Sequence, residues 1–524
     1  MKRDSLLRTG AATFAGIAFG AAATFVLTGL VSNNLGAETT GLYFQAIAIF
    51  AIASSALQLG ADTALVRTLS RQLALGETSS LRPTVWIAVA PVIAVGAAFG
   101  LTAWFAADAL AAAMAPADSA AMAETIRALA PFVGVGATLA VLLGGTRGVG
   151  GALPYTLIQN VALPVLRLAL VAIAVVSGLS VQWIVGLWVL PLGLLMALAA
   201  VVLAVMLTRA RSLTALTAPV ADAPPILELA RIWRFALPRG LSTLIEKALD
   251  WGGVLLVIAI AGPVQGAVYA VVTRCANAGY MIDQAVRVVV GPRISRALAV
   301  GAKDEAEALF LSVTRVLVMV GWPFYLTLAV FAPTVLGLFG EEFVSGAPAL
   351  TLVALALMLA TTAGMVQSIL LMGGKSVWQL FNRTVQLATL LTVTAIAVPH
   401  LGIVGAAIGW MSAIVVDTTL ASAQVAFRMG LRSSLRLIAV PAVIAFAVFG
   451  CGGLLLASVL GQSLGTVFVA ALLLGGTYLT ACFALRTRLG IAEVFARRTP
   501  SLAPSTLLPG DVAPVLIPTK EDAR

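Results

Sequence analysis

LSRQLALG, Leu69 to Gly76, returns as ISRALAVG, Ile294 to Gly301, when the chain is slid against itself by 225 positions. Ser70, Arg71, Leu73, Ala74 and Gly76 meet Ser295, Arg296, Leu298, Ala299 and Gly301. Without a gap, the same register pairs Gly41 with Gly266, Phe44 with Tyr269, Ala51 with Ala276 and Ala53 with Ala278. In each copy a glycine opens an apolar run that ends in an Arg-containing turn. Similarity between Ala- and Leu-rich helices could arise by composition alone, but a register that matches Ser-Arg and Gly as well as the apolar positions marks an internal duplication.

What surrounds the repeat is a membrane sequence. Of the 524 residues, 60% are hydrophobic and 10% charged, and the mean hydropathy is +1.05. Soluble domains carry about 45–50% apolar and about 25% charged residues. This composition argues against a soluble enzyme, a disordered chain and a nucleic-acid binder. The net charge of +10 is then a matter of loops beside anionic lipid, since Lys and Arg collect on the cytoplasmic side of membrane proteins. Cys275, Cys451 and Cys482 all lie in apolar runs, with neither a disulfide framework nor metal-ligand spacing.

At about 20 apolar residues per crossing, the chain accommodates about 14 transmembrane helices. The first runs from Thr9 to Val31 and is longer than the apolar core of a cleaved signal peptide. The others centre near Ile49, Val95, Ala137, Ala169, Leu195, Leu249, Gly279, Pro323, Met358, Leu390, Ile414, Phe446 and Leu473. Alternate connections are acidic or neutral (Glu38; Asp108, Asp118 and Glu124; Glu341 and Glu342) or basic (Arg67, Arg71 and Arg82; Arg147; Arg209, Arg211, Arg231 and Arg234; Arg293, Arg296 and Lys303; Lys375 and Arg383; Arg428, Arg432 and Arg436). The positive-inside bias then places both termini in the cytoplasm and makes the number of crossings even. Trp86, Trp104, Trp183 and Trp378 stand near helix ends, where interfacial anchors belong.

An offset of 225 residues spans about six crossings in equal orientation. The expected architecture is therefore an all-α polytopic membrane protein with two six-helix lobes in parallel repeat plus two C-terminal helices, a plan in which substrate lies between the lobes. The expected divisions are an N-terminal lobe over 1–208, a cytoplasmic linker with an interfacial helix over 209–234, a C-terminal lobe over 235–430, helices 13 and 14 over 431–485 and a disordered cytoplasmic tail over 486–524. Leu227, Ala230, Ile232 and Trp233 alternate with Glu228, Arg231 and Arg234, the pattern of a short helix lying in the interface. The tail contains Pro500, Pro504, Pro509, Pro514 and Pro518.

Charge inside an apolar helix costs about 2.5–3.5 kcal/mol even on the mildest scale, and so points to a wet cavity or a partner. In helix 7, Arg239, Ser242, Thr243, Glu246, Lys247 and Asp250 fall within about 140° of arc. Helix 8 carries Thr273, Asn277, Tyr280, Gln284 and Arg287 on one stripe, with Arg274 and Asp283 at its margins. The first half contributes Thr156, Asn160 and Arg167 in helix 5, and Ser55, Gln58 and Asp62 in helix 2. Asn382, Gln386 and Thr389 share a face of helix 11, and Asp417 stands in helix 12. Internal ion pairs such as Lys247 with Asp250 are the structural alternative to a cavity wall.

The stretches GADTALVRTLSRQLALGE (Gly60 to Glu77), GPRISRALAVGAKDEA (Gly291 to Ala306) and PHLGIVGAAIGW (Pro399 to Trp410) resemble the polysaccharide-biosynthesis flippases of the multidrug/oligosaccharidyl-lipid/polysaccharide exporter superfamily. The resemblance covers roughly the whole chain and implies a V-shaped carrier in the cell (inner) membrane. Such a carrier turns an undecaprenyl-diphosphate-linked oligosaccharide from the cytoplasmic to the outer leaflet by alternating access, with membrane lipids as its surroundings. Its anionic head group needs cations in a hydrated cleft. Lys247 and Arg274 are the expected phosphate ligands, with Arg167 facing them and Asn277 and Gln284 beside them. Glu246, Asp250 and Asp283 are the candidate sites for proton or sodium coupling.

Two other readings compete. A cation-coupled multidrug and toxin exporter of the same superfamily typically has 12 crossings. A membrane glycan polymerase or ligase would place Arg, His or carboxylates in a large outer loop, whereas the longest here, Ala107 to Glu124, is mostly Ala. His400, the only histidine, belongs to an outer loop, and no GxxxxGK[ST] phosphate cradle is present. No enzyme activity, cofactor or metal is expected.

Overall fold

The structure, a computed structural model, describes residues 3–114, 119–214, 225–279, 302–372, 376–430 and 435–486, together with positions 281, 290 and 294. The described residues form helices and turns only. In lipid a backbone that bonds within its own segment is one of two ways to satisfy every N–H and C=O, and a chain this rich in Ala and Leu takes the helical one.

In chain order the first half contains α1 (Arg3–Leu57), α2 (Ala61–Leu75), α3 (Leu81–Phe105), α4 (Ala107–Met114) and α5 (Ser119–Gly150). It continues with α6 (Ala152–Tyr155), a π-helical turn (Thr156–Ala162), α7 (Leu163–Val176), α8 (Val181–Val189) and α9 (Pro191–Thr214). The second half begins with α10 (Pro225–Ala278), followed by α11 (Lys303–Val330), α12 (Ala332–Gly337) and a 3-10 turn (Glu341–Gly346). Next come α13 (Ala347–Thr362), α14 (Val366–Met372), α15 (Ser376–Leu401) and α16 (Ile403–Gln424). A final pair comprises α17 (Leu435–Ala445) running into α18 (Gly452–Leu460), then α19 (Leu464–Ala484).

Twelve stretches among the described residues are long and apolar enough to cross a bilayer, against the fourteen expected. The difference has a local cause. Two of them, Ala12–Leu57 and Leu229–Ala278, cover 46 and 50 residues, about twice a bilayer's span. Each contains one glycine outside helical space, Gly36 (φ 72, ψ 165) and Gly262 (φ 86, ψ 171). That backbone region is essentially closed to residues with a Cβ. At both glycines the chain doubles back: Thr40 Oγ1 approaches Val31 O at 3.5 Å, and a Cβ on Gly266 would run into the Ile258 side chain. The chain is thus a multi-pass, all-helical membrane protein whose first and seventh expected spans each continue through a glycine elbow into the next. The elbows lie 226 positions apart and Gly41 and Gly266 lie 225 apart, so the repeat slips by one residue between them.

α1 and α10 make the most extensive contact between elements. Gly41 approaches the backbone of Pro263 so closely that a side chain there would clash. The two aromatic residues three positions beyond these glycines, Phe44 and Tyr269, are both fully buried, with Tyr269 donating to Ala406 O at 3.2 Å. Within the first half, Gly16 and Gly20 present a small-residue stripe to Thr156 and the carbonyl of Asn160, which lets α1 lie close against the π-helical turn.

Residues 225–234 differ from expectation. They are the first turns of the continuous helix α10, whose only non-helical residue is Gly262, rather than a separate helix in the interface. Ile232 and Ala236 are buried against Ala64 of α2, with Trp233 packed beside them. Trp86, Trp104 and Trp183 are exposed at 65%, 45% and 65%, as membrane-facing anchors require. The last pair docks on α11: Tyr478 donates to Met319 O (2.8 Å), and Gln462 donates to Val330 O (3.1 Å). Its opposite side bears Phe468, Leu472, Leu479 and Phe483, all exposed to the lipid phase. The expected disordered tail lies outside the described residues, apart from Arg486.

Candidate functional site: a cavity between the two halves

Between the halves lies a cavity of about 1310 Å³. α1 contributes Gly20, Thr24 and Thr28, and α7 with its preceding π turn contributes Gln159, Asn160 and Arg167. From the other half come residues of α10, α11, α13, α14, α15 and α16. A π turn adds a residue to the helix and re-aims the side chains around it, a recurrent feature of binding sites. Here it lies where Gln159 and Asn160 reach the cavity.

Of the expected site residues, Arg167, Glu246, Lys247, Asp250, Arg274 and Asn277 all border this one cavity. Gln284 and Asp283 lie outside the described residues, as do Tyr280 and Arg287. Four basic side chains (Arg167, Lys247, Arg274 and Arg383) and three acidic ones (Glu246, Asp250 and Asp417) line the described wall.

These charges are not equivalent. Lys247 Nζ is 2.8 Å from Asp250 Oδ2, one turn along the same helix, with both side chains about half exposed. Glu246 lies 3.8 Å from Arg239, and Arg383 lies 3.6 Å from Asp417. Arg167 and Arg274 instead sit on aromatic rings. Arg167 covers Trp188 at 3.6 Å and donates Nε to its carbonyl at 3.1 Å. Arg274 lies 4.7 Å from the Phe44 ring and 5.1 Å from that of Trp251, and its buried Nε has no hydrogen-bond partner among the described residues. A ring face holds a guanidinium through its quadrupole while leaving the charge and the planar N–H fork available. The cavity therefore holds two guanidiniums, one from each half, that have no carboxylate partner among the described residues.

A second polar group joins Gln386 and Asp417, both expected from the sequence, to Gln367 and Arg383, which the sequence does not mark as site residues. Gln367 Nε2 donates to Asp417 Oδ1 at 2.7 Å, and Arg383 Nη1 donates to Gln386 Oε1 at 2.7 Å. The sequence groups Arg383 with Lys375 in a basic connection. In the structure α15 starts at Ser376, which puts Arg383 two turns inside the helix and on the cavity wall. The stripe Asn382, Gln386 and Thr389 was visible but divides: Asn382 is fully buried in a reciprocal amide pair with Gln424 (2.9 and 2.8 Å), and Gln386 reaches the cavity. Asp62 sits outside the cavity, 3.8 Å from Arg147.

Both ends of the interface between halves are in contact. At the end carrying Glu341 and Glu342, Asn33 donates to Leu338 O (2.7 Å), the Ala37 N–H donates to Glu342 Oε2 (2.8 Å), and Phe25 packs edge-on against Phe339 (5.1 Å). At the end carrying Arg67 and Arg234, Gly60 and Gly240 meet backbone to backbone and Arg67 covers Phe235 at 4.5 Å. Among the described residues no cluster of His, Cys, Asp and Glu could hold a metal ion.

No protein-family model matches the chain, and no curated protein matches it in sequence. Solved structures do match in fold. A lipid II flippase, MurJ, in an inward closed conformation aligns with TM-score 0.71 at 11% identity, covering 92% of this chain and 99% of that one. An inward-facing multidrug resistance MATE family transporter of the MOP superfamily aligns with TM-score 0.63 at 16% identity, covering 80% and 98%. A Vibrio cholerae MATE transporter, VcmN, gives 0.56 at 19% identity, covering 82% and 98%. The chain thus has the fold that MOP-superfamily transporters share, among drug exporters and a lipid flippase alike.

Proposed function

We propose that this protein carries a diphosphate-linked saccharide lipid across the cell membrane by alternating access of its two halves, without catalysing a covalent step. The observation that carries the reading is the pair Arg167 and Arg274, two guanidiniums from opposite halves that face one cavity with aromatic rather than carboxylate partners. A diphosphate is an anion whose oxygens accept the paired hydrogen bonds of a planar guanidinium, and it is unstable in hydrocarbon without such partners. Asn277 borders the same cavity, while Lys247, held by Asp250, is a weaker ligand that substrate must first release.

The basic connections support a cytoplasmic location for both termini. In that orientation the contacts at Glu342 close the outer side. Cavity-lining residues extend to Gln379, one turn from the cytoplasmic start of α15, which suits loading from inside. Proton or sodium coupling would act at Glu246 and Asp250, whose protonation or cation binding changes the charge facing Lys247 and Arg239.

A cation-coupled drug exporter is the second reading, favoured by the MATE neighbours and by the three carboxylates on the wall. Reconstituted vesicles separate the two. The carrier reading expects flipping of a fluorescent undecaprenyl-diphosphate-linked disaccharide, reduced at least tenfold by Arg274→Ala, because each charge-assisted hydrogen bond contributes about 1.5–3 kcal/mol. Uptake of a cationic dye by the same vesicles, with lipid flipping absent, favours the exporter.

A further inference from the structure

The geometry points to a sugar-binding subsite on the α13–α16 wall, formed by Gln367, Arg383, Gln386 and Asp417 with Trp410 two turns before Asp417 on α16, separate from the guanidiniums of Arg167 and Arg274. The inference rests on the carrier reading and specifies where the uncharged part of the head group sits.

The argument begins with atoms that have no partner. Gln367 is 94% buried, with a relative exposure of 6%, and its Nε2 is engaged by Asp417. Its Oε1 is a buried acceptor with no hydrogen bond among the described residues, and Arg383 Nε is a buried donor in the same condition. Both residues line the cavity. An unsatisfied polar atom in a protein interior costs about 1–3 kcal/mol, and in a membrane protein lipid offers no replacement. The cluster thus presents one orphan acceptor and one orphan donor a few side chains apart.

That mixture selects among ligands. A metal cation wants oxygen donors only and would be repelled by the Arg383 guanidinium. A phosphate wants donors only and would be repelled by Asp417 and the Gln367 carbonyl oxygen. An organic cation would find Asp417 already facing Arg383 at 3.6 Å. A hydroxyl group both donates and accepts, so sugar hydroxyls suit an acceptor such as Gln367 Oε1 and a donor such as Arg383 Nε, each of which a small side-chain shift must first uncover to the cavity. Trp410, also on the cavity wall, supplies a flat apolar face for the C–H side of a pyranose ring. Sites built to hydrogen-bond hydroxyls reject analogues that lack them far more strongly than apolar pockets discriminate by size.

The test measures binding of full-length protein in nanodiscs to undecaprenyl diphosphate and to the same lipid bearing glucose, galactose or N-acetylglucosamine. Wild-type protein is expected to bind at least one sugar-bearing lipid tenfold or more tightly than the bare diphosphate. Gln386→Leu and, independently, Gln367→Met should bring that ratio to within threefold. Arg274→Ala should weaken all the lipids in parallel and keep the ratio. A wild type that binds bare and glycosylated lipids equally, or variants that retain the preference, removes the subsite and leaves the carrier reading intact. Wild-type protein that binds none of the lipids removes the carrier reading, and the subsite with it.

Discussion

Arg167 lies over the Trp188 ring at 3.6 Å and donates Nε to the carbonyl oxygen of that same residue at 3.1 Å. One partner thus fixes both the plane and the rotation of the guanidinium without neutralising it. α7 and α8 pack together, and Trp188 is 7% exposed, so the platform is rigid. Arg167→Lys keeps the charge but loses the fork, and transport of the lipid substrate should fall about tenfold. Trp188→Leu should reduce transport to a similar extent while leaving membrane insertion unchanged. Vesicle flipping assays on both variants check this; wild-type rates in Trp188→Leu would show that the ring does not position Arg167.

The Lys247–Asp250 pair gives a second expectation. Both side chains are about half exposed and one helical turn apart, so the pair contributes only about 0.2–1 kcal/mol to stability. If Asp250 only neutralises Lys247, Asp250→Asn combined with Lys247→Met should restore transport that either change alone reduces. If Asp250 is a coupling site, the double variant should still flip substrate but lose its dependence on a proton or sodium gradient. Flipping measured at clamped membrane potential, with and without each gradient, distinguishes the two.

The spans and the polar face carrying Glu246, Lys247 and Asp250 were legible in the sequence because both are periodic: apolar runs have a fixed length in a bilayer, and polar stripes repeat every three to four residues. The sequence does not expose every partner of a charge. The one-turn spacing of Lys247 and Asp250 already offers that ion pair, but only packing shows Arg274 resting instead on Phe44 and Trp251. Arg383 was misassigned because Lys and Arg near a helix start have the same signature whether they snorkel to an interface or enter a cavity. The elbows at Gly36 and Gly262 leave no more signal than any loop glycine, since a positive φ with an extended ψ has no sequence signature beyond the glycine itself.

The orientation is open to a direct measurement. A single cysteine at Glu38 should react with a membrane-impermeant maleimide in intact cells, and one at Arg71 should react only after permeabilisation. The native background is manageable, because Cys275 and Cys482 are buried and Cys451 alone is exposed. Labelling of the Arg71 position from outside would invert the topology and the loading direction with it.

Contacts at the Glu342 end make a separate expectation about the conformational equilibrium. The Ala37 N–H to Glu342 hydrogen bond joins the first hairpin to the segment after α12, and a bond to an ionised carboxylate is among the stronger kind, about 1.5–3 kcal/mol. Glu342→Ala should shift the population about tenfold or more toward a state open at this end, provided the bond is lost in that state. A cysteine at Thr28, which borders the cavity and is 2% exposed, should then react faster with an aqueous maleimide. An unchanged labelling rate would mean that Phe25–Phe339 and Asn33–Leu338 hold this end without Glu342.

The opposite end should respond with the opposite sign. Gly60 has φ 73, and a Cβ there would strike Ala236 O, whereas Gly240 has ordinary helical geometry and a Cβ there would lie 2.6 Å from the Leu59 carbonyl carbon. Gly240→Ala therefore tests the close approach without also straining a left-handed residue. One methyl group at such a contact forces the backbones apart, and overpacking of this kind typically costs about 1–3 kcal/mol. The cost falls only on the state in which Gly60 and Gly240 touch. Separation at this end releases it, so Gly240→Ala should raise maleimide reactivity at a cysteine replacing Ala64, which is 1% exposed beneath Ile232 and Ala236. The Thr28 position should change little or become less reactive in the same protein. Combining Gly240→Ala with Glu342→Ala should return the balance toward wild type, because the two changes penalise opposite ends of one equilibrium. If both cysteines become more reactive in Gly240→Ala alone, the glycine contact supports the fold as a whole and is not part of the exchange between the two states.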